Sequence, residues 1–288
     1  MVDLTILGAG SAKLALAPSI GGGIARLDVD SRPVLRPWAG DADTPFSLAS
    51  NILVPFSNRI SGGGFDWDGI RHNLAPNLTG EACPIHGDGF QKPWVAEKSG
   101  NSARLTLEHG SFGPWHYHAV QDFVLTAKAM TVTLSVTNSG PDPLPFGCGF
   151  HPWFPRSAKT RLGFNAETVW LEDAAYLPTK QLSLSAAPNW DFARPRTLPD
   201  TWINNGYTGW HGPAHIQQGH DAMSCTLTAT NTLSTALVFS PAAGAEFFCF
   251  EPVSHPVDAF HLPGHPGLQT LHNGDTMQAA MTLDWGVT

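Results

Sequence analysis

Hydrophobic and polar residues alternate along most of the chain in short runs that end at turn residues. The segments "ARLTLEHG" (residues 103–110) and "AMTVTLSVTNSG" (residues 129–140) are typical. A period of two indicates strands with one buried face, and convincing helical periodicity is almost absent. The chain also contains 29 glycines and 24 prolines, which recur between these runs and indicate many short strands joined by turns. We therefore predict an all-β fold built as a large antiparallel β-sandwich.

The length of the chain allows a complete hydrophobic core. The sequence has 288 residues, of which 42% are hydrophobic, and large β-sandwiches often reach this size as one domain. No linker, repeat or low-complexity segment marks a boundary. We expect residues 1–288 to form a single domain.

Charge and cysteine usage exclude several classes of partner. The chain has 16 Lys and Arg against 24 Asp and Glu, a net charge of −8, and it has no basic cluster of the kind that neutralises phosphates. It also lacks a signal-like N-terminus and an apolar window long enough to span a bilayer. None of its four cysteines forms a C-x-x-C pair. We expect a cytoplasmic monomer or homodimer that binds neither nucleic acid nor membranes.

Two short motifs resemble cofactor sites, one for a dinucleotide and one for a metal ion, but both are incomplete. The segment "ILGAGSA" (residues 6–12) lacks the third glycine of a dinucleotide-binding loop and is followed by strand-like alternation rather than a helix. The segment "HYH" (residues 116–118) places two imidazoles on one face of a strand, but a third ligand at a diagnostic spacing is missing. We expect neither a nucleotide cofactor nor a metal ion.

Polar residues stand where several predicted strands end. Asn58 and Arg59 lie between an apolar run and a glycine turn, His86 precedes a glycine, and His151 lies within "GFHPWFP". Glu251 follows the strand-like run "EFFCF" and precedes a proline. A buried carboxylate without a partner costs several kcal/mol. We therefore predict that Glu251 ends its strand at the floor of an open cleft, with its carboxylate facing solvent and substrate.

Aromatic residues accompany these polar groups. Trp153 follows His151 closely, and "GYTGWHG" contributes Tyr207 and Trp210. Aromatic faces stack on the C–H faces of sugar rings, while charged and imidazole groups bond the hydroxyls. A single histidine is more often structural than functional, but the combined set favours a site for an uncharged carbohydrate.

The same motifs give the chain a family resemblance. The segments "NRI" (residues 58–60), "HG" (86–87), "HPWF" (151–154), "GYTGWHG" (206–212) and "EPVSHPVDAF" (251–260) follow one another in an order that resembles the aldose 1-epimerases, or galactose mutarotases. The resemblance covers nearly the whole chain. It implies a galactose mutarotase-like supersandwich and the interconversion of the α and β anomers of a free aldose, without metal or nucleotide.

The resemblance also implies roles for individual residues. Glu251 would be the general base on the C1 hydroxyl, and His151 would donate a proton to the ring oxygen. The other site residues would bind a monosaccharide: Asn58, Arg59, His86, Trp153, Asn204, Tyr207 and Trp210.

One position departs from the family pattern. Where many members carry an aspartate before the "GW" motif, this chain has Asn204, and an amide lacks the charge of a carboxylate. We expect Asn204 to line the sugar site and Asn204→Asp to improve activity on galactose or glucose relative to the native substrate. Two alternatives stay open at this point: a non-catalytic carbohydrate-binding or sensing protein of the same fold, and a hexose-6-phosphate epimerase. The second would need a cationic phosphate clamp, and the scarcity of Lys and Arg near these motifs favours a neutral sugar.

Overall fold

The computed structural model describes residues 2–40, 45–242 and 244–286, and within them it contains strands and short 3-10 turns but no α-helix. The strands, numbered in chain order, are β1 (Thr5–Ala9), β2 (Ala12–Ala17), β3 (Gly23–Val29), β4 (Arg32–Pro33), β5 (Ser50–Leu53), β6 (Gly64–Trp67), β7 (Ile70–Asn73), β8 (Val95–Ser99), β9 (Ser102–Phe112), β10 (Trp115–Leu125), β11 (Ala129–Asn138), β12 (Leu144–Phe146), β13 (Gly149–Pro155), β14 (Arg161–Asn165), β15 (Thr168–Glu172), β16 (Pro178–Ser183), β17 (Arg196–Thr197), β18 (Ile203–Thr208), β19 (His211–Gln217), β20 (Cys225–Ala229), β21 (Thr235–Ser240), β22 (Phe247–Val253), β23 (Gln269–Leu271) and β24 (Thr276–Asp284). The 3-10 turns are Pro45–Ser47, Gly89–Gln91, Leu184–Ala186, Pro188–Trp190 and Ala259–His261.

Two large antiparallel sheets dominate the fold. The first has 11 strands in the order β1-β2-β3-β5-β13-β22-β21-β18-β15-β16, with β4 paired to β3, and the second has nine strands in the order β17-β14-β19-β20-β24-β11-β10-β9-β8. Two further two-stranded sheets pair β6 with β7 and β12 with β23. This architecture confirms the predicted all-β sandwich. In the described part of the chain, no helix has the length and hydropathy needed to cross a membrane.

The main hydrophobic core takes side chains from both large sheets. Val132 and Leu134 of β11 join Phe248 and Phe250 of β22 in one buried cluster. Because side chains alternate along a strand, residues between these core positions point to the opposite face of each sheet. The 11-stranded sheet therefore has a second, outer face on which polar residues can lie.

Two neighbouring central strands of the 11-stranded sheet carry the predicted catalytic residues on that outer face. On β13, Phe150 and Phe154 belong to the core, whereas His151 and Trp153 line a cavity. Glu251 lines the same cavity from the neighbouring strand β22. The alternation thus accounts for how an apolar-looking sequence presents acid and base side chains together.

The prediction that Glu251 ends its strand is wrong. Strand β22 continues to Val253 through Pro252, in the interior of the sheet between β13 and β21. The β13–β22 ladder pairs Gly149 with Val253 and resumes only at Trp153 and Cys249. Each strand has a proline inside this gap, and a proline supplies no N–H to a ladder. The interrupted pairing is the point at which His151 stands opposite Glu251.

Candidate active site

A cavity of about 430 Å³ opens on the outer face of the 11-stranded sheet. Its size falls in the range common for small-molecule sites. Polar, aromatic and aliphatic side chains line it: Arg36, Phe46, Asn58, Arg59, Leu78, Glu81, Ile85, His86, His151, Trp153, Tyr176, Trp202, Asn204, Phe239, Phe247 and Glu251.

An imidazole and a carboxyl group meet within this cavity. Nε2 of His151 lies 3.3 Å from Oε1 of Glu251, and both side chains are buried. The second carboxyl oxygen of Glu251, Oε2, has no hydrogen-bond partner among the described residues. Buried polar atoms are rarely left unpaired. Oε2 of Glu251 is therefore an unsatisfied buried acceptor in a residue that lines the cavity.

Burial decides the protonation of this pair. It raises the pKa of Glu251 to about 8, against a smaller opposing effect of the Arg59 charge. It lowers the pKa of His151 to about 3, and the charge of Arg36 acts in the same direction. At neutral pH the site therefore holds one proton on the carboxyl group beside a neutral imidazole. Groups this close titrate as a pair, so the relevant state is the one that shares a single proton.

His86 is held as a neutral hydrogen-bond donor. Its Nδ1 accepts the backbone N–H of Asn58 at 2.9 Å, and its own backbone N–H donates to the Asn58 carbonyl at 2.9 Å. Because Nδ1 is an acceptor, the ring proton lies on Nε2. Burial, followed by the neighbouring His151, lowers the pKa of His86 well below its ordinary value. The site gains a second, uncharged imidazole whose ring centre is 5.4 Å from that of His151.

Arg59 is fixed by a carboxylate at the side of the cavity. Its Nε and Nη2 donate to the two oxygens of Glu81 at 2.9 and 2.8 Å. Such two-point pairing holds the guanidinium plane in one orientation. Nη1 makes only a 3.4 Å contact with Oδ1 of Asn58 and is the nitrogen least committed within the protein.

Aromatic rings enclose the His151 side of the cavity. The indole of Trp153 stacks on the His151 imidazole, with ring centres 3.9 Å apart and an interplanar angle of 13°. The Arg36 guanidinium lies 4.8 Å from the Trp153 ring and donates to the carbonyls of Phe46 and Leu48 at 2.7 and 2.8 Å. These contacts keep the imidazole in a single plane facing Glu251.

One group of side chains in the described residues could hold a metal ion. The ligand atoms of His151, Cys249 and Glu251 lie within 4.8 Å of one another, and all three residues are buried. Burial and the nearby Glu251 raise the pKa of the Cys249 thiol well above its ordinary value, and a protonated thiol is a poor ligand. A metal bound here would also occupy the facing lone pairs of the His151 imidazole and the Glu251 carboxyl group.

The chain is similar to known proteins over nearly its whole length. Residues 4–284 match the family model described as aldose 1-epimerase. The chain is also 39% identical over 282 residues to the uncharacterised protein YphB of Escherichia coli K12, covering 95% of this chain and 96% of that protein. The chain belongs to the aldose 1-epimerase family.

Solved structures of other family members share the fold. A crystal structure from Escherichia coli K12, of a protein proposed to be an aldose 1-epimerase, superposes with a TM-score of 0.92 at 35% identity over 98% of both chains. The structure of a galactose 1-epimerase from Lactobacillus acidophilus NCFM superposes with a TM-score of 0.77 at 14% identity, covering 98% of this chain and 94% of that one. At 14% identity the second comparison supports the fold alone.

The structure brings most of the residues predicted from the family motifs into one cavity. Those that line it are Asn58, Arg59, His86, His151, Trp153, Asn204 and Glu251. Glu251 does not face solvent as predicted, because its side chain is buried at the cavity floor. This carboxyl group is distinguished by its buried position next to the His151 imidazole.

Tyr207 and Trp210 do not reach the cavity, which corrects their assignment as sugar-binding residues. Tyr207 is separated from Asn204 by an odd number of positions on β18, so the two side chains point to opposite faces of the strand. The Tyr207 ring packs edge-on against Phe164 in the core, and Trp210 packs edge-on against Phe250. Both aromatic rings belong to the hydrophobic core between the two sheets.

Several lining residues were not found from the sequence. Arg36, Glu81, Tyr176 and Trp202 come from segments without a family motif, and their placement depends on contacts between distant parts of the chain. Only Trp202 carried a usable signal, since a tryptophan between an aspartate–threonine pair and a polar strand start, "DTWINN", is unusual for a core position.

Proposed function

We propose that this family member interconverts the α and β anomers of a free, uncharged aldose. The observation that carries the proposal is the buried His151–Glu251 pair, 3.3 Å apart at the floor of a sugar-sized cavity. Opening a hemiacetal ring requires one proton to leave the anomeric hydroxyl while another reaches the ring oxygen. A pair that shares one proton can supply both transfers.

The reaction follows from the two side chains. In the reactive form the shared proton has crossed to His151, so Glu251 is a carboxylate. Glu251 then takes the proton of the C1 hydroxyl as the bond between C1 and the ring oxygen breaks, and His151 donates its proton to that oxygen. Rotation about the C1–C2 bond turns the aldehyde, and the same transfers in reverse close the ring as the other anomer. The pair ends with one proton, as it began.

The surrounding groups would hold the sugar for these transfers. Nε2 of His86 can donate to a hydroxyl or to the ring oxygen, and Nη1 of Arg59 can donate to a second oxygen. The Trp153 indole stacks on one face of the His151 imidazole and holds its ring plane. Because the imidazole and carboxyl groups are already fixed, binding has little reorganisation left to impose.

The charges near the cavity favour a neutral substrate over a sugar phosphate. Arg59 is neutralised by two bonds to Glu81, and Nη2 of Arg36 donates to two backbone carbonyls. These are the two cationic side chains among the described lining residues. A phosphate clamp combines several unpaired cationic donors, and with Arg59 paired to Glu81 the cavity offers fewer of them than a hexose 6-phosphate would require.

The pH dependence of exchange tests the shared-proton state. We expect kcat/KM to be level near neutral pH and to fall as the pH rises through about 8, because the pair then loses its only proton. The measurement is polarimetry from about pH 6 to about pH 10, with the uncatalysed rate subtracted at each pH. A rate that rises through pH 8 would instead mean that a lone carboxylate suffices.

Replacing Arg59 or His86 should weaken sugar binding more than it slows the chemical step. We expect Arg59→Ala and His86→Ala each to raise KM by about tenfold or more, since each loses a hydrogen bond from a charged or buried donor. The measurement is KM and kcat by polarimetry, with calorimetric affinity for the same sugar. Arg104→Ala, which removes an exposed arginine from the other sheet, is the matched control. Unchanged affinity in both variants would remove these residues from the sugar site.

The enzyme proposal is tested against a binding protein by a panel of aldoses. Freshly dissolved α-anomers of several aldoses are followed by polarimetry, and the affinity for each sugar is measured by calorimetry. The proposal expects accelerated exchange for at least one sugar that binds. Binding without acceleration for any member of the panel would favour the carbohydrate-binding alternative.

A further inference from the structure

A carboxylate beside the cavity has no part in the proposed proton transfers. Glu172 ends strand β15, and its side chain is about half buried. Oε1 of Glu172 accepts a hydrogen bond from the Trp202 indole at 2.7 Å, and Oε2 accepts one from Nδ2 of Asn204 at 2.6 Å. One carboxylate thus holds two residues that line the cavity.

The contact with Glu172 determines which end of the Asn204 amide faces a ligand. An amide has a donor end and an acceptor end, and an ionised carboxylate can only accept. The NH₂ group of Asn204 must therefore turn to Glu172, which leaves Oδ1 as the atom available to the cavity. Position 204 therefore offers a ligand a hydrogen-bond acceptor. The negative charge lies on Glu172, on the other side of the Asn204 amide.

The contact with Trp202 fixes the mouth of the cavity. Trp202 and Tyr176 are 41% and 39% exposed and stack with ring centres 5.6 Å apart. The Arg59 guanidinium lies 5.0 Å from the Tyr176 ring. Exposed aromatic rings held in this way beside polar groups commonly mark ligand sites. Glu172 anchors this wall at the end opposite Arg59.

We infer that Glu172 is a positioning residue that sets sugar specificity by presenting Oδ1 of Asn204 as an acceptor and by holding Trp202 at the mouth of the cavity. The inference rests on the proposed sugar site. It selects neutral sugars whose hydroxyl group donates toward Asn204, and it disfavours anionic sugars because the Glu172 charge lies behind the amide.

This arrangement reverses the outcome expected for Asn204→Asp. The substitution places a second carboxylate against the Glu172 carboxylate, where the amide bond was 2.6 Å long. Two like charges in a half-buried position repel, so one must take up a proton or move away. We expect Asn204→Asp alone to weaken sugar binding rather than to improve activity on galactose or glucose.

A double-mutant cycle separates positioning from a structural role. In Glu172→Gln, the new amide can donate to Asn204, so the Asn204 amide turns and offers NH₂ to the sugar. In Glu172→Gln combined with Asn204→Asp, the glutamine donates to the aspartate and an acceptor faces the cavity again. If Glu172 acts through Asn204, the double variant recovers what each single variant loses.

The experiment measures KM and kcat on the aldose panel for the wild type, both single variants and the double variant. Each single variant is expected to raise KM about tenfold on the preferred sugar with kcat changed by less than about threefold. The double variant should return KM to within about threefold of the wild type. Glu108→Gln, which removes an exposed carboxylate from the other sheet, controls for net charge.

Affinity from tryptophan fluorescence on titration with the same sugars gives a second readout. If the wild type exchanges no anomers, the proposed function fails, while recovery of affinity in the double variant still supports the role of Glu172. Losses that simply add in the double variant, or single variants with unchanged KM and affinity, would overturn the inference.

Discussion

Glu251→Gln is expected to lower kcat/KM for anomer exchange by at least about a hundredfold, the usual contribution of a positioned general base. Glutamine has nearly the same shape but can neither accept nor return the proton of the C1 hydroxyl. Its amide can still bond a sugar hydroxyl, so KM should change much less than kcat. The measurement is polarimetry on the preferred aldose, with Glu246→Gln, just before the same strand, as the matched control.

The Glu251→Gln variant should also be more stable than the wild type at alkaline pH, which guards against misreading a folding defect. Burial raises the pKa of Glu251 from 4.5 to about 8. As pH rises from 4.5 to 8, the unfolded chain releases this proton while the folded protein retains it, so the wild type progressively loses stability. The variant lacks this loss. We expect its Tm to exceed that of the wild type by a few degrees at about pH 8 and by little at about pH 5. Wild-type exchange rates in this variant would remove Glu251 from the mechanism.

His151→Gln is expected to lower kcat by about 10²–10⁴-fold with a small change in KM. The glutamine amide can reach the position of Nε2 and donate a hydrogen bond, but it cannot transfer a proton to the ring oxygen. If His151 and Glu251 act as one unit, as proposed, the variant with both substitutions should be little slower than either alone. The measurement is kcat for the two single variants and the double variant, with the exposed His220→Gln as control. Losses that multiply in the double variant would show that the two residues act independently.

The sequence predicted the architecture because the information is local. Alternating runs and turn residues indicate strands without knowledge of their partners, and the resulting all-β prediction is confirmed. The family motifs also identified most of the polar residues that line one cavity. Their roles in binding and catalysis stay predictions that the variants above test.

The sequence could not predict which face of its strand a motif residue occupies. Tyr207 stood beside the polar segment that contains Asn204, but the strand alternation directs it into the core. The proline after Glu251 predicts the end of a strand, whereas in the structure two prolines on neighbouring strands share one gap in the ladder. Which face a residue occupies depends on strand register, and register is set by pairing across the sheet.

The partners of the binding residues were equally beyond the sequence. Glu81 is separated from Arg59 by 22 positions, and Glu172 from Asn204 by 32. Neither glutamate lies in a family motif, and isolated acidic residues are usually solvent-exposed. Their contacts decide the charge and hydrogen-bond donor pattern of the cavity, which the sequence alone does not show.

The most direct test of the central claim is magnetisation exchange between the two anomeric proton resonances of an equilibrated aldose. Saturation of the β resonance is followed at the α resonance, near neutral pH, with wild-type protein and with the Glu251→Gln variant at equal concentration. The account predicts transfer with the wild type on at least one neutral aldose and near-background transfer with the variant. Equal transfer with both proteins, or no transfer with the wild type on any aldose that binds, would contradict it.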